Sequence, residues 1–526
     1  MFMRKFIVMA LVLLAMGTNA QERDSLAVKY AETITAEELK DHLMILASDE
    51  YEGRETGEKG QKMAAEYIAN YFKSLGVEPV VNGSYFQEFP LKTERTDKGS
   101  LMMGDINLSF YKDFYFFSGF SAQEIKGEAV FAGYGVNTDN YSDYKDIDVK
   151  GKIVFVLPGE PKDSEGNSII TGNDNVSEWT SDWRMKRDYA MEMGAKALIT
   201  YRPGYDQYIG RIKYWLENPG MSLDMDREER TEVLPMFFTS EEHFAELIAN
   251  GKGGKLAKIQ KKIRKKGVSI YKELSKEVSI SVQREQRKFT SENVLCYIPG
   301  SDPELADEVV VVTSHYDHVG MNDTDVFNGA DDDGSGTVSL LEIAQAFMQS
   351  KNDGNGPRRS VLVMTVSGEE KGLLGSEWYS ENPVFPLENT VCDLNVDMIG
   401  RVDEAHADNE NYIYLIGSDK LSTQLHDASE VMNSTYTKLE LDYTYNDPDD
   451  PNRFYYRSDH YNFAKHGIPV IFYFSGVHED YHQPTDTPDK IMYEKTATIA
   501  KLIFHTAWEV ANRDQRLVVD VQNDFE

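Results

Sequence analysis

The chain has 526 residues, with 55 Lys and Arg against 88 Asp and Glu, a formal net charge of −33. At roughly 100 to 200 residues per domain, this length calls for two or three domains, and a composition that is 41% hydrophobic and 27% charged excludes a disordered or fibrous chain. So acidic a balance excludes nucleic acid as a partner. The only cysteines, Cys296 and Cys392, exclude a disulfide framework and a Cys-rich zinc site, so any metal must be held by His and carboxylates.

The first residues, MFMRKFIVMALVLLAMGTNAQE, place Arg4 and Lys5 before an apolar run from Phe6 to Met16 and close on small residues ending at Ala20. A bilayer span takes roughly 18 or more apolar residues, so residues 1–20 read as a cleaved export signal, and the mature protein is expected to be secreted or periplasmic. No other stretch is long and apolar enough to span a bilayer, and no cysteine follows the small residues to carry a lipid, so no stable membrane insertion is expected.

Leu39 to Gly76 spaces its apolar residues at helical intervals, and Gly76 stands where a helix would stop, so two helices are expected to open the mature chain in a segment 21–91. From about Lys92 the character changes. Short strand-like runs such as EAVFAGYG and GKIVFVLPG alternate with turn-rich segments, and MKRDYAMEMGAKALITYR and VLPMFFTSEEHFAELI each pair a helix with a strand. Residues 92–285 therefore read as an inserted α+β domain. Within it, GKGGKLAKIQKKIRKKG, from Gly251 to Gly267, reads as a solvated helix face, with a docking patch as the alternative.

The segment 286–526 repeats strand then helix: NVLCYIPG, EVVVVTSH, TVSLLEIAQAFMQS, SVLVMTVSG, VCDLNVDMIG, NYIYLIG, PVIFYFSG and a last helix from Lys495 to Ala511. This is an α/β pattern, a mixed, mostly parallel sheet sandwiched by helices. Polar clusters follow its strands directly: SHYDHVG, SGEE, NVDMIG and HEDYHQPTD. They are expected to converge at the carboxyl edge of the sheet, where open α/β sheets bind ligands. NGADDDGSGT, from Asn328 to Thr337, adds three adjacent carboxylates that repel one another unless a cation offsets them. Singly, these clusters are ordinary caps, helix first turns or surface histidines. Together they offer the N and O donors that zinc accepts.

In this order the motifs H-x-D, G-x-x-D-x-x-S-G, E-E, x-D-M and a late His closely resemble the co-catalytic zinc exopeptidases of metallopeptidase family twenty-eight, over about Leu39 to Lys92 and Asn293 to Asn512. The resemblance implies the zinc exopeptidase fold and two Zn2+ ions per chain, with Asp332 as the bridging carboxylate, His315 and Asp397 on one ion, and Glu370 and His482 on the other. It implies Glu369 as general base and Asp317 as the residue that orients His315 by a hydrogen bond. It also implies Tyr481 as a donor to the oxyanion. The insert resembles a protease-associated domain through FAGYGVNTDNYSDYKDIDVKGKIVFV and GAKALITY.

Peptides are then the expected substrates, and an aminopeptidase the expected activity; the sequence leaves the oligomeric state open. A carboxypeptidase or dipeptide-releasing enzyme remains an alternative, for which Arg453 and Arg457 would recognise an acidic substrate. Further alternatives are a glutaminyl cyclase-like acyl transfer and a binding protein with a dead site. The acidic loop from Glu440 to Arg457 is expected either to receive a substrate amino group or to be a solvated surface. RSDHYNF, with Ser458, Asp459 and His460, is expected to serve local hydrogen bonding, because triads are built from separated positions. His478 to His482 also fits H-E-x-x-H, which needs both histidines on one helix face, but Pro484 and Pro488 leave no room for that helix.

Overall fold

The computed structural model describes residues 23–117, 120–217, 220–225 and 233–522; the expected export signal at 1–20 lies outside them. The chain divides into two compact units, one of residues up to Pro90 together with those from Phe289 onward, the other Leu91–Lys288.

The first unit opens with three helices, α1 (Ser25–Ala31), α2 (Ala36–Leu46) and α3 (Lys59–Ser74). The two longer ones lie broadly where periodicity places them, although α2 begins at Ala36, ahead of Leu39. The seven residues of α1 are too few to show a period, and it is fixed instead by Asp24, whose side chain caps it through Leu26 N and also accepts from Trp508 Nε1. Thr35 caps α2, with Glu37 and Glu38 favourably placed in its first turn.

The sheet of this unit uses the end of β1 (Tyr271–Ile298), then β2 (Val309–His315), β3 (Ser360–Val366), β4 (Thr390–Val396), β5 (Tyr412–Ile416), β6 (Glu440–Asp442) and β7 (Val470–Phe474). Their order is β6-β5-β7-β4-β2-β3-β1. The central pairs β3/β2, β2/β4 and β4/β7 are parallel, while β1/β3 and β5/β7 are antiparallel. Central strands are buried on both faces, which explains their unbroken apolar runs. Val310 and Val312 enter one core with α1 to α3, α4 (Gly336–Asn352) and α5 (Tyr493–Asn512), while Val309 and Val311 enter a second core with Tyr379 and Phe463. Cys296 and Cys392 are free thiols buried in β1 and β4, pushed up by that burial.

The second unit has its own core. Strand 124–132 pairs antiparallel with 271–281 and parallel with 153–155; strands 197–201 and 236–239 follow in parallel, and 114–116 closes the edge antiparallel. Helices Arg184–Glu192, Glu241–Asn250 and Leu256–Lys266 belong to it. Among the described residues no helix is long and apolar enough to cross a membrane.

One buried acid sits between the helices of the first unit. Glu342 of α4 is fully buried, with His42 of α2 at 3.6 Å, and burial together with nearby Glu38 pushes it up to about 9. Tyr71 of α3 packs on the same His42 ring. Because the folded-state carboxyl titrates higher than the unfolded one, its contribution to stability is complete below the unfolded value near 4.5 and is lost as pH rises towards 9. Glu342→Gln, which mimics the neutral acid, is therefore expected to raise Tm at pH 8 but not at pH 4; thermal unfolding monitored at both values checks this.

Candidate metal centre

The centre is built on the segment Asn328 to Thr337, between β2 and α4. Gly329 has φ +54, and a Cβ there would lie 2.4 Å from the Asp332 carbonyl oxygen and 2.5 Å from His318 Cγ, so only glycine lets the loop close over the histidine. The three aspartates part company. Asp331 Oδ1 accepts from Gly400 N at 2.6 Å and Oδ2 faces His478 Nε2 at 3.1 Å. Asp333 Oδ1 accepts from Gly336 N and Met398 N. Asp332, joined to Asp333 by a cis peptide, turns to the remaining donors.

Those donors arrive from the carboxyl ends of the strands, as the motif order requires. His315 ends β2, Glu369 and Glu370 follow β3, Asp397 follows β4 and His482 lies on the loop after β7. His315 Nε2 lies 3.4 Å from Asp332 Oδ1 and 3.6 Å from Asp397 Oδ1. His482 Nε2 lies 3.0 Å from Asp332 Oδ2 and 3.1 Å from Glu370 Oε2. The donor atoms thus fall into two groups, His315-Asp332-Asp397 and His318-Asp332-Glu370-His482, with the atoms of each within 4.8 Å of one another and Asp332 common to both.

His318 was not foreseen. It sits 2.8 Å from Glu370 Oε1 through Nδ1. A second His three residues after His315 in SHYDH was the available signal.

The donor set fits a cation. His315 Nε2, His482 Nε2, Asp332 Oδ2, Glu370 Oε1 and both His318 nitrogens are buried without a hydrogen bond of acceptable geometry, and buried polar atoms are seldom left so. Burial would depress the His315 imidazole, but Glu369 and Asp397 outweigh it and hold it well above the usual histidine range. Burial also depresses His482, yet Asp332 and Glu370 carry it up to about 10. Asp332, against its own burial, is held well below the usual carboxylate range by His315 and His482. Burial, then Asp397 and Glu370, push Glu369 well above that range. Imidazole and carboxylate donors of this kind suit zinc.

A ring of polar groups holds these side chains. Ser458 Oγ donates to Asp397 Oδ2 at 2.7 Å and accepts from Asn395 Nδ2, so the local role of RSDHYNF includes orienting Asp397. Asp459 accepts from Ser376, and His460 stacks on Phe472. Asp317 differs in detail from expectation. His315 Nδ1 lies 3.1 Å from the Asp317 backbone carbonyl but 3.8 Å from its carboxylate, which instead accepts from Thr56 Oγ1 at 2.6 Å and Glu369 N at 3.3 Å. Asp317 therefore steadies the Glu369 backbone as well as the histidine.

The H-E-x-x-H string forms no helix; it lies on a turn after β7. Its first histidine, His478, engages Asp331, while Asp480 is held by Arg401, Thr485 and Lys490, so the string ties the His482 loop to the aspartate loop. His482 itself has φ 55, and Met398 beside Asp397 also has φ 55. Left-handed backbone in non-glycine residues is strained by roughly 1 to 3 kcal/mol and here falls at the centre.

A cleft opens beside the centre, lined by Glu369, Tyr481, Met398, Phe454, Phe472 and Arg457 among others. Tyr481 stacks on His482 with ring centroids 4.0 Å apart. The carboxylates of the loop Glu440 to Arg457 do not line this cleft; Asp442 meets His406, and Asp447 and Asp450 bind their own turns. What the loop brings to the cleft is Phe454 and Arg457.

Residues 293–507 match the model of Peptidase family M28. This segment belongs to that family. The M28 segment carries all five expected metal-binding positions and Glu369. Among relatives, a probable leucine aminopeptidase of Arthroderma otae is 30% identical over 233 residues, 43% of this chain and 59% of that protein. A probable zinc metalloprotease of Pyrenophora tritici-repentis is 26% identical over 266 residues, 42% of this chain and 52% of the other. The chain thus spans less than two thirds of the length of these relatives. Among solved structures, the aminopeptidase from Aneurinibacillus sp. strain AM-1 is 20% identical with a TM-score of 0.52, covering 94% of this chain and 98% of that one, which establishes the shared fold.

Arg54 was also missed by sequence reasoning. Fully buried beneath the M28 centre, it donates to the carbonyls of Leu46, Tyr316, Asn328 and Gly329, and the nearby charges of Asp486, Asp317 and Asp332 partly offset its desolvation. A lone Arg in YEGRET gives no periodic signal. Arg54→Met would leave these carbonyls unpaired among buried carboxylates and is expected to cost about 3 to 5 kcal/mol, measurable by urea denaturation against the parent protein.

Proposed function

We propose that the protein is an aminopeptidase that removes amino-terminal residues from peptides with two zinc ions per chain. The single observation that carries this reading is Asp332, which turns one oxygen to the His315 group and the other to the His482 group. Names of relatives as leucine aminopeptidase and zinc metalloprotease support it. His315 and Asp397 would hold one ion with Asp332; Glu370 and His482 would hold the other with it, and His318 is a further donor within reach. When bound, zinc lowers the pKa of water and polarises the substrate carbonyl.

The remaining work falls to the chain's own groups. Glu369, 3.9 Å from His315 Nε2 and lining the cleft, takes the proton from water and returns it to the leaving amine. Its backbone is fixed by Asp317. Tyr481, at the wall of the cleft, donates its hydroxyl proton to the oxygen that gains charge. Met398, Phe454, Phe472, Phe474 and Val477 add apolar contacts to a cleft whose lining is otherwise charged and polar, and an apolar substrate side chain would lodge against them.

A second reading, a carboxypeptidase, is favoured by one observation: Arg457 lines the same cleft. A cyclase and a dead site are disfavoured because every expected donor is in place. We further infer that the protein is exported and that Leu91–Lys288, with its own core, is a protease-associated-like domain.

The deciding experiment is hydrolysis of a panel of aminoacyl chromogenic amides, with and without a chelator, beside amino-blocked peptides. Cleavage of free amino-terminal substrates that is abolished by chelation is expected; turnover of amino-blocked peptides alone would reverse the direction of attack. Glu369→Gln is expected to lower kcat by about a hundred- to ten-thousand-fold with zinc retained. His482→Ala should lose zinc, counted by atomic absorption, whereas His478→Ala should keep it, because His478 faces Asp331.

A further inference from the structure

The second unit carries a concentration of positive charge that the metal centre does not use. Between Lys252 and Lys266, eight Lys and Arg residues are exposed, and no Asp or Glu occurs from Gly251 to Lys272. Most lie on the helix Leu256–Lys266, whose apolar residues Leu256, Ile259 and Ile263 are buried in the core of its own unit, so the opposite face is left to its cations. No ion pair is recorded for any of the eight among the described residues. Elsewhere most lysines and arginines that pair do so with the abundant carboxylates of a chain at −33.

Two further observations say what covers it. The helix runs directly into Val268 and Tyr271, which are 50% and 44% exposed. At the same end, Gly267 lies against Ile169, and Arg264 forms part of a cavity of about 270 Å³ with Lys162, Glu160, Tyr134 and the half-exposed Val176. Cations, a Tyr and protruding valines on one edge match the layering of a bilayer surface, where phosphates lie outermost, aromatic rings sit at headgroup level and aliphatic groups reach the acyl boundary. A duplex nucleic acid would use the cations but gains little from exposed valines. At physiological salt the Debye length is about 8 Å, so carboxylates farther than that from this face are largely screened from it.

We propose that this basic face docks the protein on an anionic phospholipid bilayer, with the helix cations on the headgroup phosphates and Val268, Tyr271 and Val176 at the interface. The contact is peripheral and leaves the chain outside the bilayer.

The test is co-sedimentation of the purified protein with vesicles of phosphatidylcholine alone and of phosphatidylcholine mixed equally with phosphatidylglycerol. Binding to the anionic vesicles only, weakened by added salt, is expected. The quadruple variant Lys258→Glu, Lys261→Glu, Lys262→Glu, Lys265→Glu should lose at least about tenfold in vesicle affinity, and Val268→Ser with Tyr271→Ser should weaken binding without changing its salt dependence. Because all six positions are exposed, unchanged Tm and peptidase activity in both variants show that the fold is intact. Equal binding to both vesicle types, no binding at all, or full binding by the quadruple variant overturns the proposal. Tighter binding to a duplex oligonucleotide than to anionic vesicles, or indifference to Val268→Ser with Tyr271→Ser, overturns the lipid surface in favour of a soluble polyanion.

Discussion

Everything around the candidate centre follows from crowding carboxylates where water is scarce. Asp317, Asp331, Asp332, Asp333, Asp397, Asp459 and Asp486 are all buried, with Glu369 and Glu370 beside them. Left alone they would repel one another and take up protons. The chain meets most of this demand with backbone amides: Gly336 and Met398 for Asp333, Gly400 for Asp331, and the amides of Asp331 and Asp332 for Asp486. Arg54 supplies a permanent positive charge below. Once those partners are assigned, what remains is Asp332, Glu370, Asp397 and three histidines facing one another, the set that the proposed zinc ions would satisfy together.

The sheet makes such crowding possible. Parallel strands end side by side, so His315, Glu369 and Asp397 come from three neighbouring strands without any long-range loop search. Below them the strands are wholly buried and mostly apolar, which gives the centre a stiff floor. Above, the less regular connections absorb the cost, with left-handed backbone at Met398 and His482. Interactions such as His478 with Asp331 and Ser458 with Asp397 keep those connections in place.

Much of this was legible in the sequence because it repeats along the chain: apolar runs for strands, and a polar cluster after each. The strands from NVLCYIPG to PVIFYFSG and the polar clusters at their ends are readable in that way, while the donors His315, Asp332, Glu370, Asp397 and His482 were picked out within the clusters by the family resemblance; the structure brings these donors together. What escaped depends on contacts between distant residues. Arg54 ends a short, kinked 3-10 helix and Thr56 lies in the turn after it, neither with a period, and they reach the centre only through tertiary packing. His318 points to Glu370 only because Gly329 lets the loop fold over it. The resemblance gave Asp317 a hydrogen bond to His315, and the structure makes that contact through the Asp317 backbone carbonyl while its carboxylate accepts from Thr56 and the Glu369 amide. The acidic loop was read by charge, whereas it meets the cleft through Phe454 and Arg457 and not through its carboxylates.

The two buried cysteines give the molecule an internal reporter. Cys296 lies opposite Val363 in the β1/β3 pairing, and Cys392 lies opposite Val310 in the β4/β2 pairing, both without solvent exposure. A reagent can reach either thiol only when the strands that carry it separate, and only a thiolate reacts. Alkylation kinetics therefore time the opening of the sheet itself, with Cys296 sensing its β1 side and Cys392 its middle, and a difference between the two rates would reveal which part of the sheet separates first.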